Sequence, residues 1–204
     1  MGDARLIDEL LKLNQIASCS IGCPSQASSK GQGRGAFPRY LASIQTARTR
    51  FNSVPLRGLL VVADANGNAA KSFKDVSESL QESKFPVPSR AFNIEEVDRL
   101  RVAVYLVPGE GETGTLEHIL LRAVFKKSPD LEGCLDNFST CTGGLRSTDP
   151  NLQAKMRMSA LAAAFCEENP WCSPNLIWST AGNPVPIDSD CFAGLSKFLA
   201  DFSA

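Results

Sequence analysis

Two uninterrupted apolar stretches constrain the fold of this chain most strongly. They are RGLLVVAD at residues 57–64 and RVAVYLVP at residues 101–108. Continuous apolar runs of this length are typical of strands that are buried on both faces, as in parallel sheets covered by helices. A helical pattern follows each run, at 69–83 and at 114–127. This alternation predicts an α/β fold in which a small parallel or mixed sheet lies between helix layers.

The rest of the chain adds further helices and one further strand to this pattern. The apolar stretch IASCSIGC at 16–23 predicts a strand, and the segment 128–150 is rich in loop-forming residues. Helices are expected in four more segments, where apolar residues recur every three or four positions: 5–13, 37–51, 151–166 and 191–202. We therefore expect a single α/β domain over residues 1–204, with a core at 1–127, a connector at 128–150 and a C-terminal helical segment at 151–204.

Composition limits the classes of protein to which the chain can belong. Hydrophobic residues make up 43% of the 204 residues, charged residues 21%, and the net charge is −1. This balance is ordinary for a globular protein and unlike that of a strongly basic nucleic-acid binder. No apolar run approaches the roughly 20 residues that span a bilayer, so no membrane partner is expected. Seven cysteines without a CxxC pair favour reduced thiols and a cytoplasmic location.

Acidic side chains follow both apolar strands at the point where each strand ends. Asp64 ends the first strand and Asn66 follows it, whereas Glu110, Glu112 and Glu117 come after the second. Ligands of open parallel sheets bind beyond the carboxyl ends of the strands. If the two strands are neighbours, these side chains converge, and clustered carboxylates repel one another unless a cation lies among them. Hard oxygen ligands of this kind suit Mg²⁺ or Mn²⁺.

Each of these carboxylates also has an ordinary structural role open to it. Asp64 can begin a turn, and Glu110 and Glu112 lie between glycines in a segment that is expected to face solvent. Glu117 can complement the dipole of its helix, with Gly114 near the N-cap, although it lies at the edge of the apolar face. The metal site and these structural roles remain alternatives at this stage.

Two other features bear on the chemistry. The stretch SSKGQGRG at 28–35 places Lys30 and Arg34 among glycines ahead of a helix, but it lacks the order of a P-loop. It is either a site for an anion such as phosphate or a mobile surface loop. His118, the single histidine, is expected on the polar face of its helix as a solvated residue, which leaves no Ser/His or Cys/His catalytic pair.

The strand-end motifs together resemble a known group of proteins. VVADAN at 61–66 and VAVYLVPGEGETGTLEHILL at 102–121 resemble an uncharacterised Toprim-like family of prokaryotic proteins. In that family a strand ends near Asp-Ala-Asp, and a later segment reads Pro-Asp-Asn…Gly-Met-Leu-Glu. The stretch LQAKMRMSALAAAF at 152–165 is similar to the lysine-containing helix that follows in that family. The order of elements matches over roughly the whole chain, and the two strand-end motifs are its specific part.

The resemblance implies a fold and a metal site. Toprim domains serve topoisomerases, primases and nucleases of the OLD (overcoming lysogenization defect) type, and they bind Mg²⁺ through a glutamate and an Asp-x-Asp pair. Carried over by motif, Asp64 matches the first aspartate, Asn66 takes the place of the second, and Glu117 matches the glutamate of the Leu-Glu motif. Glu110 or Glu112 stands in for the loop aspartate of that family.

Two departures from the pattern leave more than one function open. The family strand that carries the metal-binding glutamate has no counterpart ahead of the first predicted helix, so either the sequence starts after it or the strand is lost, and Asn66 replaces a carboxylate. One hypothesis is Mg²⁺-dependent phosphodiester chemistry, with Asp64 and Glu117 as catalytic residues and with Lys30 and Arg34 contacting phosphate or nucleic acid. The alternative is a degenerate Toprim-like interaction module without enzymatic activity. A third hypothesis is a nucleotide-binding α/β enzyme that uses the loop at 24–36.

Overall fold

The computed structural model describes residues 2–17, 19–22, 33–50, 56–143, 147–166, 177 and 183–204. The described chain folds as seven α-helices and three strands, which in chain order are α1 (Gly2–Leu13), α2 (Phe37–Arg50), β1 (Gly58–Asp64), α3 (Ala69–Glu82), β2 (Ile94–Val97), β3 (Leu100–Val107), α4 (Leu116–Lys127), α5 (Asp130–Thr142), α6 (Pro150–Phe165) and α7 (Ala193–Ser203). Short 3-10 helices span Gly33–Ala36 and Asp190–Phe192. No helix of the described residues is long and apolar enough to cross a membrane.

The chain divides into two compact units. The first comprises Met1–Cys19 and Gly114–Lys197, and the second comprises Ser20–Thr113 together with Phe198–Ala204. The second unit contains the sheet, and the first is built from helices.

The sheet of the second unit is mixed and has the strand order β1-β3-β2. β1 and β3 pair in parallel over the full length of β1, from Gly58 opposite Arg101 to Asp64 opposite Val107. β2 and β3 form an antiparallel hairpin. Asp98 and Arg99 make its two-residue turn with φ angles of 52° and 63°, as a type I′ turn requires. The predicted α/β class and the parallel strand pair are thus confirmed, whereas β2 was not predicted.

One face of the sheet forms the hydrophobic core of the second unit. Alternate residues of β1 and β3, including Val61, Val104 and Leu106, point to this face because side chains alternate along a strand. Val76 and Leu80 of α3 are fully buried against them. Burial of apolar area on this scale is the main force that holds α3 on the sheet.

The opposite face of the sheet carries aromatic contacts with the last residues of the chain. The ring of Tyr105 lies 5.2 Å from that of Phe198, centroid to centroid. The guanidinium of Arg101 lies 5.7 Å above the ring of Phe202 and donates a hydrogen bond of 2.9 Å to the carbonyl oxygen of Asp201. The end of α7 therefore covers the face on which Tyr105 lies.

The first unit is held together by the apolar faces of its helices. α4 is its most buried helix, with Leu120, Ala123 and Val124 at 3% exposure or less, and it packs against α6. An exposed ion pair joins α4 to the 3-10 helix at 190–192, where Lys126 Nζ lies 2.5 Å from a carboxylate oxygen of Asp190. Both ends of this pair line an open cavity of about 320 Å³, together with Lys127 and Pro186.

Two predictions of local structure were wrong. Residues 16–17 and 19–22 form neither strand nor helix, while residues 18 and 23 lie outside the described chain. Their small Ser, Cys and Gly side chains give a strand little apolar area to bury. The segment 128–150 was predicted as a loop-rich connector but contains α5. Only Leu135 of that helix is buried, and the helix contains Gly133 and several Asp, Asn, Ser and Thr residues, which form helices less readily than alanine or leucine.

Candidate functional site

The carboxyl ends of β1 and β3 lie side by side, which meets the condition that the sequence analysis set for its candidate site. Asp64 is the partner of Val107 in the strand register, and the N–H of Ala65 donates a 2.8 Å hydrogen bond to the carbonyl oxygen of Val107. The two segments that follow these strands therefore start from neighbouring points at one edge of the sheet. This geometry brings the polar residues after β1 close to those after β3.

The segment after β1 is fixed by hydrogen bonds to the first turn of α3. Asn68 is the N-cap residue of α3, and its side-chain oxygen accepts a 2.9 Å hydrogen bond from the N–H of Lys71. The hydroxyl of Ser72 donates a 2.6 Å hydrogen bond to the carbonyl oxygen of Ala65. Asn66 adopts a left-handed conformation with φ 52°, which asparagine tolerates better than most residues. The backbone around Asp64 and Asn66 is therefore well defined.

The segment after β3 turns sharply and separates its two glutamates. The N–H of Glu112 donates a 3.1 Å hydrogen bond to the carbonyl oxygen of Gly109, and Gly111 has a φ of 77° at the position of the turn that favours glycine. Glu110 at the tip of the turn is exposed, whereas Glu112 is half-buried. The sequence treated these two residues as equivalent candidates, and the turn distinguishes them.

The carboxylate of Glu112 and the hydroxyl of Tyr105 both lie near Gly109. A Cβ atom placed on Gly109 would lie 3.4 Å from Glu112 Oε1 and 3.9 Å from the Tyr105 hydroxyl oxygen. A side chain at position 109 would therefore contact both polar groups. Glu112 and Tyr105 form one polar site next to the end of β3.

Tyr105 was not among the residues that the sequence suggested. It is 4% exposed, and its ring packs edge-on against Phe92 with centroids 5.0 Å apart. Burial raises the pKa of Tyr105 to about 12, and the negative charge of Glu112 adds to this rise. A tyrosine in the middle of the otherwise aliphatic strand VAVYLV was the available signal, because a buried phenol needs a polar partner.

Asp64 lies on the same face of the sheet as Tyr105. The register pairs Val62 with Tyr105 and Asp64 with Val107, and residues two apart on a strand share a face. Asp64 is half-buried. Asp64 and Tyr105 therefore share one face of the sheet, and Glu112 follows β3 at the edge where Asp64 lies.

Glu117 belongs to the first unit and sits in the first turn of α4. It is half-buried, and the N-cap of the helix is Thr115 rather than Gly114. His118 was predicted to be a solvated surface residue. It instead accepts a 3.1 Å hydrogen bond at Nδ1 from the backbone N–H of Thr115, in the position that glutamate or glutamine occupies in a capping box.

The predicted phosphate-contacting residues fall largely outside what the structure describes. Lys30 lies outside the described residues, and the backbone of Arg34 belongs to the 3-10 helix at 33–36. Within the described ranges, no group of three or more His, Cys, Asp or Glu side chains could hold a metal ion. Asp64 and Glu112 supply two carboxylates at the strand ends, and one or two carboxylates with water and phosphate oxygens are what Mg²⁺ commonly binds.

A family model covers most of the chain and all of this site. Residues 1–170 match the family described as Protein of unknown function (DUF3226). The chain belongs to this DUF3226 family. Comparison with curated proteins and with solved structures gave no match. The expectation of an uncharacterised family is thus confirmed. In this DUF3226 chain the match includes all three strands, whereas Phe198 and Phe202 lie beyond it.

Proposed function

We propose that this DUF3226 protein binds Mg²⁺ together with a phosphate-bearing ligand at the carboxyl ends of β1 and β3. The observation that supports the proposal most directly is the pairing of Asp64 with Val107, which brings Asp64 to the edge of the sheet where the turn that carries Glu112 begins. Two half-buried carboxylates form a hard, anionic donor set that attracts a divalent cation. Asn66 would add a neutral oxygen ligand.

The chain's own groups would have distinct roles at such a site. The Asp64 and Glu112 carboxylates would bind the cation, and the Tyr105 hydroxyl would orient Glu112. A bound Mg²⁺ would neutralise charge on a phosphate oxygen and polarise the phosphorus centre. Phosphodiester cleavage or transfer is the activity that this arrangement would support, and the Toprim resemblance favours it. Lys30 and Arg34 remain the predicted contacts for phosphate or nucleic acid, and Glu117 the predicted further ligand.

Calorimetric titration with Mn²⁺ tests the metal site. We expect saturable heat with the parent chain, no saturable heat with Asp64→Asn, and weakened binding with Glu112→Gln. Glu110→Gln is the matched control, because Glu110 lies in the same turn but is exposed, so it should bind like the parent. Equal binding by all four proteins would place any metal elsewhere and refute the assignment.

The alternative function is a Toprim-like interaction module without chemistry. Two observations favour it: Asn66 replaces a carboxylate of the family pattern, and no group of three metal-binding side chains lies among the described residues. If Mn²⁺ produces no saturable heat, even when inorganic phosphate or a short oligonucleotide is present, the interaction module is the better description. If heat appears only when phosphate is present, the ligand completes the coordination shell.

A further inference from the structure

The two edges of the sheet are protected to different degrees against pairing with another strand. The order β1-β3-β2 leaves β1 and β2 at the edges of the described sheet. β2 has four residues and carries Glu95 and Glu96, and a short, charged edge strand resists further pairing. β1 has seven residues with no proline, and only its last residue, Asp64, is charged. Among the residues that the structure describes, β1 is therefore the edge that is open to strand addition.

Every second residue of β1 directs its backbone groups away from β3. The N–H of Arg101 donates to the carbonyl oxygen of Arg57 at 2.9 Å, and the N–H of Ala65 donates to that of Val107 at 2.8 Å. These bonds show that the odd-numbered residues of β1 direct their N–H and C=O groups toward β3. Backbone hydrogen bonding alternates along a parallel pair, so the even-numbered residues direct theirs away. Leu60 and Val62 thus point their N–H and C=O groups to the outer edge, where the described residues provide no strand.

We propose that the outer edge of β1 binds β1 of a second copy of this chain, antiparallel and across a two-fold axis. In this arrangement Leu60 lies opposite Val62 of the second copy, and Gly58 lies opposite Asp64. An extended strand is the partner that fits, because its N–H and C=O groups alternate at the same spacing as those of β1. The two sheets become one continuous six-stranded sheet, with three strands from each copy.

The sequence of β1 is complementary to itself in this register. In this register each even-numbered residue of one copy lies opposite an even-numbered residue of the other, as Leu60 does opposite Val62. Both members of each such pair direct their backbone N–H and C=O groups to the outer edge, so they can form hydrogen bonds with each other. The apolar side chains of Leu60 and Val62 meet on one face and bury area that is partly exposed in the single chain. Asp64, the single charge of β1, meets Gly58 rather than a second carboxylate. An isologous contact of this kind closes as a dimer.

Amide hydrogen exchange on the unmodified protein tests the contact directly. The N–H groups of Leu60 and Val62 point away from β3, so they exchange fast in a single chain and slowly when a strand covers them. We expect exchange at these two amides to slow by at least about tenfold as protein concentration rises. The amide of Val61, which bonds within the sheet, should be protected at every concentration. Fast, concentration-independent exchange at 60 and 62 would refute the proposal.

Sedimentation of edge variants provides the second arm of the experiment. Leu60→Pro removes an outward N–H, which edge strands tolerate, and Val62→Lys adds a charge at the edge. We expect the parent to sediment with twice the mass of 21.9 kDa and both variants with the single mass. Leu60→Ile keeps the N–H and should remain dimeric. A parent of single mass, or a dimer that survives Val62→Lys with unchanged affinity, would overturn the proposal.

Discussion

Ser72 is hydrogen bonded to Ala65 through its hydroxyl, which lies 2.6 Å from the Ala65 carbonyl oxygen. Both residues are buried, at 2% and 0% exposure. Because the bond ties α3 to the residue that follows Asp64, it holds the end of β1 in place. Ser72→Ala leaves a buried carbonyl without this donor and should lower the free energy of unfolding by about 1–3 kcal/mol. Urea unfolding monitored by circular dichroism measures the change.

Ser79 in the same helix is the matched control. It is also buried, but its hydroxyl donates to the carbonyl oxygen of Asp75 one turn earlier, within α3 itself. Ser79→Ala should change the free energy of unfolding by less than about 0.5 kcal/mol, because the helix carbonyl keeps its backbone partner and alanine favours the helix. Equal effects of the two substitutions would contradict the role given to Ser72.

The elements that the sequence predicted correctly are those with long, unbroken patterns. β1, α3 and β3 were placed within one or two residues because their apolar positions recur over a whole element. β2 was not predicted because it has only four residues, two of them glutamates. Its turn also has Asp98 and Arg99 where glycine is usual. Whether such a short segment forms a strand depends on the strand it pairs with, and the local sequence pattern carries no information about that partner.

The site was predictable to a similar extent. The position of Asp64 and Glu112 after two apolar strands predicts that they converge if the strands are neighbours, and the parallel pairing of β1 with β3 meets that condition. The sequence did not distinguish Glu112 from Glu110, because that depends on the turn at 109–112. It also missed Tyr105, whose contacts with Phe92 and Phe198 depend on the tertiary fold.

The packing of Gly58 under Phe202 leads to a second prediction. A Cβ atom at Gly58 would lie 2.9 Å from Cζ and 3.1 Å from Cε1 of the Phe202 ring, so the ring would have to shift. Gly58→Ala should therefore lower the free energy of unfolding by about 1–3 kcal/mol. In a Phe202→Ala background the same change should cost less, because the obstructing ring is gone. A double-mutant cycle by urea unfolding measures this coupling, and strictly additive effects would contradict it.

The N-terminus of α4 provides a third prediction. His118 Nδ1 accepts a hydrogen bond from the backbone N–H of Thr115. This N–H has no other intrahelical acceptor because it lies at the start of the helix. His118→Ala should lower the thermal midpoint, with a loss of about 1 kcal/mol that is typical of capping interactions. His118→Gln should retain most of the stability, since glutamine can reach the same N–H. If the glutamine variant is as unstable as the alanine variant, the capping role is wrong.

The buried phenol of Tyr105 predicts how stability changes at alkaline pH. Burial, followed by the charge of Glu112, raises the pKa of Tyr105 from 10.0 to about 12 in the folded protein. Between these values the unfolded chain releases the phenolic proton while the folded chain retains it. Stability should therefore fall as pH rises from about 10 to about 12, and Tyr105→Phe should show a smaller fall over the same range.

Absorbance at 295 nm follows the ionisation that underlies this prediction. The titration is recorded for the parent and for Tyr105→Phe, both treated with a chelator. The difference between the two curves is the ionisation of Tyr105, and its midpoint should lie near pH 12. Glu112→Gln should lower the pKa of Tyr105 by removing a nearby negative charge, yet leave it above 10 because burial is the larger cause. An unchanged midpoint in Glu112→Gln would show that the carboxylate does not act on the phenol, and it would separate Glu112 from the polar site beside Gly109.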